Sequence, residues 1–104
     1  MSEPMATRKL RRSSGNVFRD LGFSKDESEN LRIRSELMAK LARLIEDRGL
    51  TQAEAAKIFG VSQPRVSDLV RGKMDLFSID MLVVMLSKAG LQVTFTARTR
   101  KRVA

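Results

Sequence analysis

The sequence predicts a mainly α domain of four to five helices, with a C-terminal β-strand and flexible basic ends. Three observations carry that expectation. Apolar residues recur at three- and four-residue steps from Leu31 to Ile45, which is the helical period. A hydroxyl residue stands three positions before a glutamate at two helix starts, and a glycine follows each helix end. From Leu91 to Ala97 the period changes to two, with β-branched and aromatic residues enriched.

Composition narrows the function classes. The 104 residues contain neither Cys nor His. Disulfides, thiolate metal sites and thiol nucleophiles are excluded, as are the commonest general base and metal ligand. No cofactor is expected. The longest apolar run spans the six residues 81–86, against the ~20 that a membrane helix needs. The basic cluster Arg8, Lys9, Arg11 and Arg12 is followed by no apolar stretch, so no signal peptide is expected and a cytoplasmic protein is.

Net charge is +8, from 20 Lys plus Arg and 12 Asp plus Glu. It is concentrated at the ends: residues 1–15 carry +3 and residues 98–104 carry +4, while 16–97 hold twelve bases against eleven acids. Short basic arms suit a polyanionic partner, because each cation set near a phosphate releases a condensed counterion. Residues 1–15 therefore read as a basic arm, 16–90 as the helical domain, 91–97 as a strand and 98–104 as a basic tail.

Residues 16–23 contain apolar side chains that need burial, in a pattern too short to assign to helix or strand. Ser24 with Glu27 has capping-box spacing, and no Gly or Pro interrupts the chain from there to Arg48. Leu31, Met38, Leu41, Leu44 and Ile45 give this segment an apolar face, predicting a helix of about seven turns. Its six acids and six bases cancel, as on a solvated face. Thr51 with Glu54 opens a second helix, to Phe59, which Gly60 ends. Ser62 caps a third from Gln63 to about Arg71, with Pro64 tolerated in its first turn and Gly72 beyond it. Ser78 caps a fourth, Ile79 to Ala89.

Residues 52–71 have the requirements of a helix-turn-helix. Ala56 is small where two crossing helices touch. Gly60 tolerates a left-handed turn, and Ala55, Phe59, Val61, Val66 and Leu69 face a core. With Val66 and Leu69 inward, a helical wheel turns Gln63, Pro64, Ser67, Asp68 and Arg71 outward. Gln63, at the amino end, can hold adenine N6 and N7 through its amide. Arg65 reaches guanine or a phosphate. Arg71 and Lys73 read as phosphate contacts. Asp68 either accepts from cytosine N4 or pairs with Arg65 or Arg71, the internal ion pair being the favoured role.

The stretch Leu50-Thr51-Gln52, Ala55-Ala56, Gly60-Val61-Ser62-Gln63-Pro64, Val66-Ser67 and Arg71-Gly72 resembles the lambda-repressor-like, or XRE, DNA-binding proteins. With the flanking helices the resemblance covers about residues 31–90. It implies a lambda-repressor-like fold in which Thr51 and Gln52 approach the sugar-phosphate backbone, and Gln63, Pro64, Ser67 and Asp68 face the groove. The DNA-contact set is then Thr51, Gln52, Ser62, Gln63, Pro64, Arg65, Ser67, Asp68, Arg71 and Lys73, on a double-stranded operator.

A strand needs a partner for its amides and carbonyls. Segment 91–97 must pair with residues 16–19, with a symmetry mate or with another protein. One such module reads few base pairs, so a homodimer is expected, built from Leu91, Val93 and Phe95 and from Met81 and Met85 beside Leu82 and Leu86. The alternative is that the fourth-helix residues only close the monomer core. The long charged helix after Gly22-Phe23-Ser24, the short chain and the Lys73–Ser78 connection look like the HigA-like antitoxin subgroup. That resemblance implies repression of its own operon and a RelE- or HigB-like toxin as partner, met by the N-terminal arm and residues 16–30. A stand-alone XRE regulator and a protein-interaction module without DNA are the competing readings. The acids are scattered over solvent faces, so no enzyme is expected.

Overall fold

The computed structural model describes residues 17–99. The expected arm at 1–15 and the tail beyond Thr99 lie outside the described residues. Five helices run in the order α1 (Val17–Asp20), α2 (Lys25–Arg48), α3 (Gln52–Phe59), α4 (Gln63–Val70) and α5 (Ile79–Lys88), with a 3₁₀ turn at Met74–Leu76 before α5.

Local chemistry sets the ends of each. Ser24 Oγ accepts from the Glu27 amide at 3.1 Å, and Glu27 Oε1 accepts from the Ser24 amide at 3.2 Å. Thr51 and Glu54 repeat the box at 3.0 and 2.9 Å. Ser62 and Ser78 cap α4 and α5 through their hydroxyls. Each box satisfies two of the amides that a helix start leaves without acceptors. Gly49 and Gly60 take left-handed backbone at the ends of α2 and α3. At Gly60 φ is 73°, a left-handed backbone that strains any other residue, while a Cβ would meet only the flexible end of the Lys88 side chain at 2.9 Å, so conformation is what calls for glycine there.

One apolar core joins the elements. Met38, Leu41 and Leu44 of α2, Ala55, Ala56 and Phe59 of α3, Val66 and Leu69 of α4, Phe77, and Leu82, Met85, Leu86 and Ala89 from the α5 region are all buried in it. Arg48 donates to the Ala89 carbonyl at 3.3 Å, tying the end of α2 to the end of α5. The rest of α2's charge stays at the surface. Arg32 bridges Glu29 and Glu36 at 2.7 Å each, and its hydrogen bond to Glu29 raises the guanidinium above its ordinary pKa.

Residues 17–20, unassigned from sequence, form a helical turn that packs on the start of α2. Phe18 meets Phe23 edge-on, and the fully buried Ser28 hydroxyl donates to the Phe23 carbonyl.

The expected strand at 91–97 is not formed. Residues 91–99 have no secondary structure, and no strand occurs among the described residues. Two physical reasons account for it. The carbonyls of Val17, Phe18 and Arg19 accept from the amides of Leu21, Phe23 and Gly22 in a helical turn, so residues 17–20 are not the extended edge that 91–97 would need. The Leu91 amide donates to the Leu86 carbonyl at 3.0 Å, finishing α5 instead of starting a sheet. The alternation of period two is still used: Leu91 and Val93 lean on the core, while Phe95 is 60% exposed.

Of the two fourth-helix residues expected at a dimer interface, Met85 sits differently. Leu82, Met85 and Leu86 are buried within the subunit, and Met81 is half-buried against them. Met85 is a core residue with no face left for a second subunit.

Candidate nucleic-acid interface

The α3–α4 pair builds a single face. α3 ends at Gly60, where the amides of both Gly60 and Val61 donate to the Ala56 carbonyl at 2.9 and 3.0 Å. That sharp reversal lets α4 start three residues later, and the buried Ala55 and Ala56 allow the two helices to pack closely. Val66 and Leu69 anchor α4 from below. The opposite side is thereby committed to solvent.

Gln63, Pro64 and Arg71 are exposed, and Ser67 and Asp68 are half-buried at the surface. These are the five residues that the helical wheel turned outward. Gln63 and Ser67 are neither packed inward nor shielded. Ser62 is also exposed, but its hydroxyl is occupied in accepting from the Arg65 amide at 3.3 Å. Thr51 is similarly engaged as a cap. Next to it, the first-turn amides of Gln52 and Ala53 have no acceptor within α3, a geometry suited to a phosphate oxygen. Gln52 itself is half-buried.

Two side chains sit differently from expectation. Arg65 turns away from the outward face: its Nη1 donates to the Leu76 carbonyl at 3.1 Å, and its guanidinium lies 5.5 Å from the centre of the Phe77 ring. In this arrangement it braces the loop after α4. The wheel carried the signal, since a 100° step puts Arg65 about 200° round from Gln63. Asp68 pairs with neither Arg65 nor Arg71. Its carboxylate lies 4.0 Å from Lys73 Nζ, and its carbonyl accepts from the Lys73 amide at 3.1 Å.

Sequence reasoning passed over Arg34. From α2 it donates to the Met74 carbonyl at 2.9 Å while Asn30 orients its guanidinium at 2.6 and 2.9 Å. The loop carrying Lys73 is thus gripped from α2 by Arg34 and from α4 by Arg65. No local signal marks a contact between residues 40 positions apart. Arg65→Ala should lower stability by about 1.5–3 kcal/mol, the range for hydrogen bonds to charged groups. Chemical denaturation measures this, and an unchanged midpoint would show that the brace is idle.

Asp68 offsets Lys73 and Arg65 is turned aside, so the outward face carries an excess of only one positive charge, that of Arg71. No group of three or more potential ligand residues that could hold a metal ion occurs among the described residues. No helix among them is long and apolar enough to cross a membrane.

Two capped helices meeting across a left-handed glycine, the second presenting a polar outer side from its amino end, define a helix-turn-helix DNA-binding domain. The chain belongs to the helix-turn-helix domain family, whose model matches residues 17–98 and so takes in both α1 and the extended segment after α5. No curated protein matches the chain.

Proposed function

We propose that this protein is an XRE-type transcriptional repressor that binds a specific double-stranded operator as a homodimer, with α4 in the major groove. The observation that carries the reading is the outward presentation of Gln63, Pro64, Ser67 and Arg71 above a buried Val66–Leu69 floor. Specificity comes from that nearly neutral face, and most of the affinity comes from the eight bases in residues 1–15 and 98–104. The protein acts by binding, without catalysis and without a cofactor, on the nucleoid in the cytoplasm.

The homodimer reading rests on the segment after α5. Leu91 and Val93 already face inward, so Phe95 and the backbone of 92–97 beyond the Leu91 amide's bond to Leu86 are available for an antiparallel pairing with a second copy. Two α4 helices in such a dimer would address half-sites ~34 Å apart. The antitoxin reading rests on the HigA-like layout together with an apolar surface that DNA would not use. At the α1 end, Leu21 is 63% and Phe23 43% exposed. This surface suits a RelE- or HigB-like toxin.

A gel shift with the DNA upstream of the protein's own gene tests the repressor, repeated on a chain lacking residues 1–15 and 98–104. The shortened chain should keep its preferred sequence but bind less tightly. Its salt slope should be flatter by as much as about 7 per subunit if every removed base meets a phosphate. Equal slopes would remove the assigned role of the ends, and no shift by either chain would favour the interaction-module reading. Co-purification from the native host decides between an antitoxin and a stand-alone regulator.

A further inference from the structure

We propose that Asp68 is a specificity-determining residue whose carboxylate accepts from the amino group of a cytosine, while Lys73, which it holds in the free protein, passes to a backbone phosphate. This rests on the reading of α4 as the groove-entering helix and names the base that its second turn recognises.

The argument begins with what a carboxylate can do at that position. Asp68 lies on the outward side of α4, one turn beyond Pro64, and is partly buried there. An ionised carboxylate only accepts hydrogen bonds. The base-edge donors in the major groove are the amino groups of cytosine and adenine. Adenine sets its N7 acceptor beside the amino group, where it would repel the second carboxylate oxygen. Cytosine is the base that satisfies Asp68. Five residues separate Asp68 from Gln63, about 7.5 Å along the helix axis. The cytosine should therefore lie about two base-pair steps from the base that Gln63 reads, at 3.4 Å per step along a strand.

Lys73 supplies the second half of the exchange. The turn at Gly72, with φ at 74°, carries the chain back so that the Lys73 amide bonds to the Asp68 carbonyl. The backbone tether keeps the ammonium close, yet the side chains approach only to 4.0 Å and Lys73 remains exposed. An ion pair this loose and this wet is weakly held and easily exchanged. Away from a matching site, the carboxylate meets groove acceptors and phosphates and opposes binding. At a matching site it gains the cytosine, and Lys73 is released to the phosphates. Discrimination then has an attractive and a repulsive component.

Selection of bound duplexes from a random pool, using the full wild-type chain, Asp68→Asn and Asp68→Ala, tests this, with thermal unfolding of each variant as a control. Wild type should select a cytosine at one position per half-site. Both variants should lose that preference and keep the others, and Asp68→Asn should drift toward adenine. Affinity for the wild-type site should fall about 5- to 150-fold, while unrelated duplex binds more tightly than before. That opposite movement does not follow from structural damage. Unchanged preferences in both variants, or a uniform loss accompanied by a lowered melting temperature, would overturn the assignment and leave Asp68 as Lys73's partner alone. If wild type itself selects no sequence, the groove reading of α4 fails first and this inference falls with it.

Discussion

Replacing Phe59 with alanine is expected to destabilise the domain by about 3–5 kcal/mol, the range for a buried Phe→Ala cavity. Phe59 is the last residue of α3, only 1% exposed, and shares its core with residues of α2, α4 and α5. Domains of this size hold roughly 0.05–0.15 kcal/mol per residue in reserve, so one truncation removes a large share of the total. Urea denaturation should show a lower midpoint with an unchanged slope. Because α4 stands on the same core, DNA binding should fail at temperatures that wild type tolerates. The internal control is Phe95, largely exposed, whose replacement by alanine should leave the stability of the isolated subunit within about 0.5 kcal/mol. Equal costs at the two positions would mean that the core is misassigned.

Gln63→Ala should produce the opposite profile. Gln63 is exposed at the first position of α4 and supports no packing, so folding stability should stay within about 0.5 kcal/mol of wild type. Binding to the preferred operator should weaken by about 1–3 kcal/mol, the worth of a bidentate contact to adenine. Binding to unrelated duplex should barely change. Arg71→Ala probes the other kind of contact: affinity should fall for every sequence, and the salt slope should drop by about one. Fluorescence anisotropy across a salt series distinguishes the two. Wild-type behaviour from both variants would take α4 out of the groove.

The contrast between these variants reflects how the site is built. Gln63 and Arg71 stand on a surface whose orientation depends on Val66, Leu69 and Phe59 beneath it, so the proposed recognition and the stability should be separable by side of the helix. Arg34 and Arg65 belong to the supporting side although their charge suggests the other. Both donate to carbonyls of the loop that carries Lys73, and each therefore helps to fix the position of that loop.

Helix boundaries were legible because their causes are local. A serine or threonine hydroxyl meets an amide three residues on, and a glycine takes positive φ where a helix ends. The limits of α2 and α3 thus follow from residues that are neighbours in the chain. The inward set of α4 follows from helical period alone, and the outward set is its complement. What sequence could not decide depended on partners distant along the chain. The alternation in 91–97 has the form of a strand, but a strand exists only beside another edge, and the helical turn at Val17–Asp20 is not one. Met85 has the same apolar character whether it faces a partner or a core, and packing beside Leu82 and Leu86 settled it. Arg65 and Asp68 were assigned by charge, whereas their actual neighbours, the Leu76 carbonyl, the Phe77 ring and Lys73, were brought in by the return of the chain after Gly72. Local hydrogen bonding and periodicity belong to the sequence; which long side chain meets which distant carbonyl or cation belongs to the tertiary fold, because only folding brings those groups within reach.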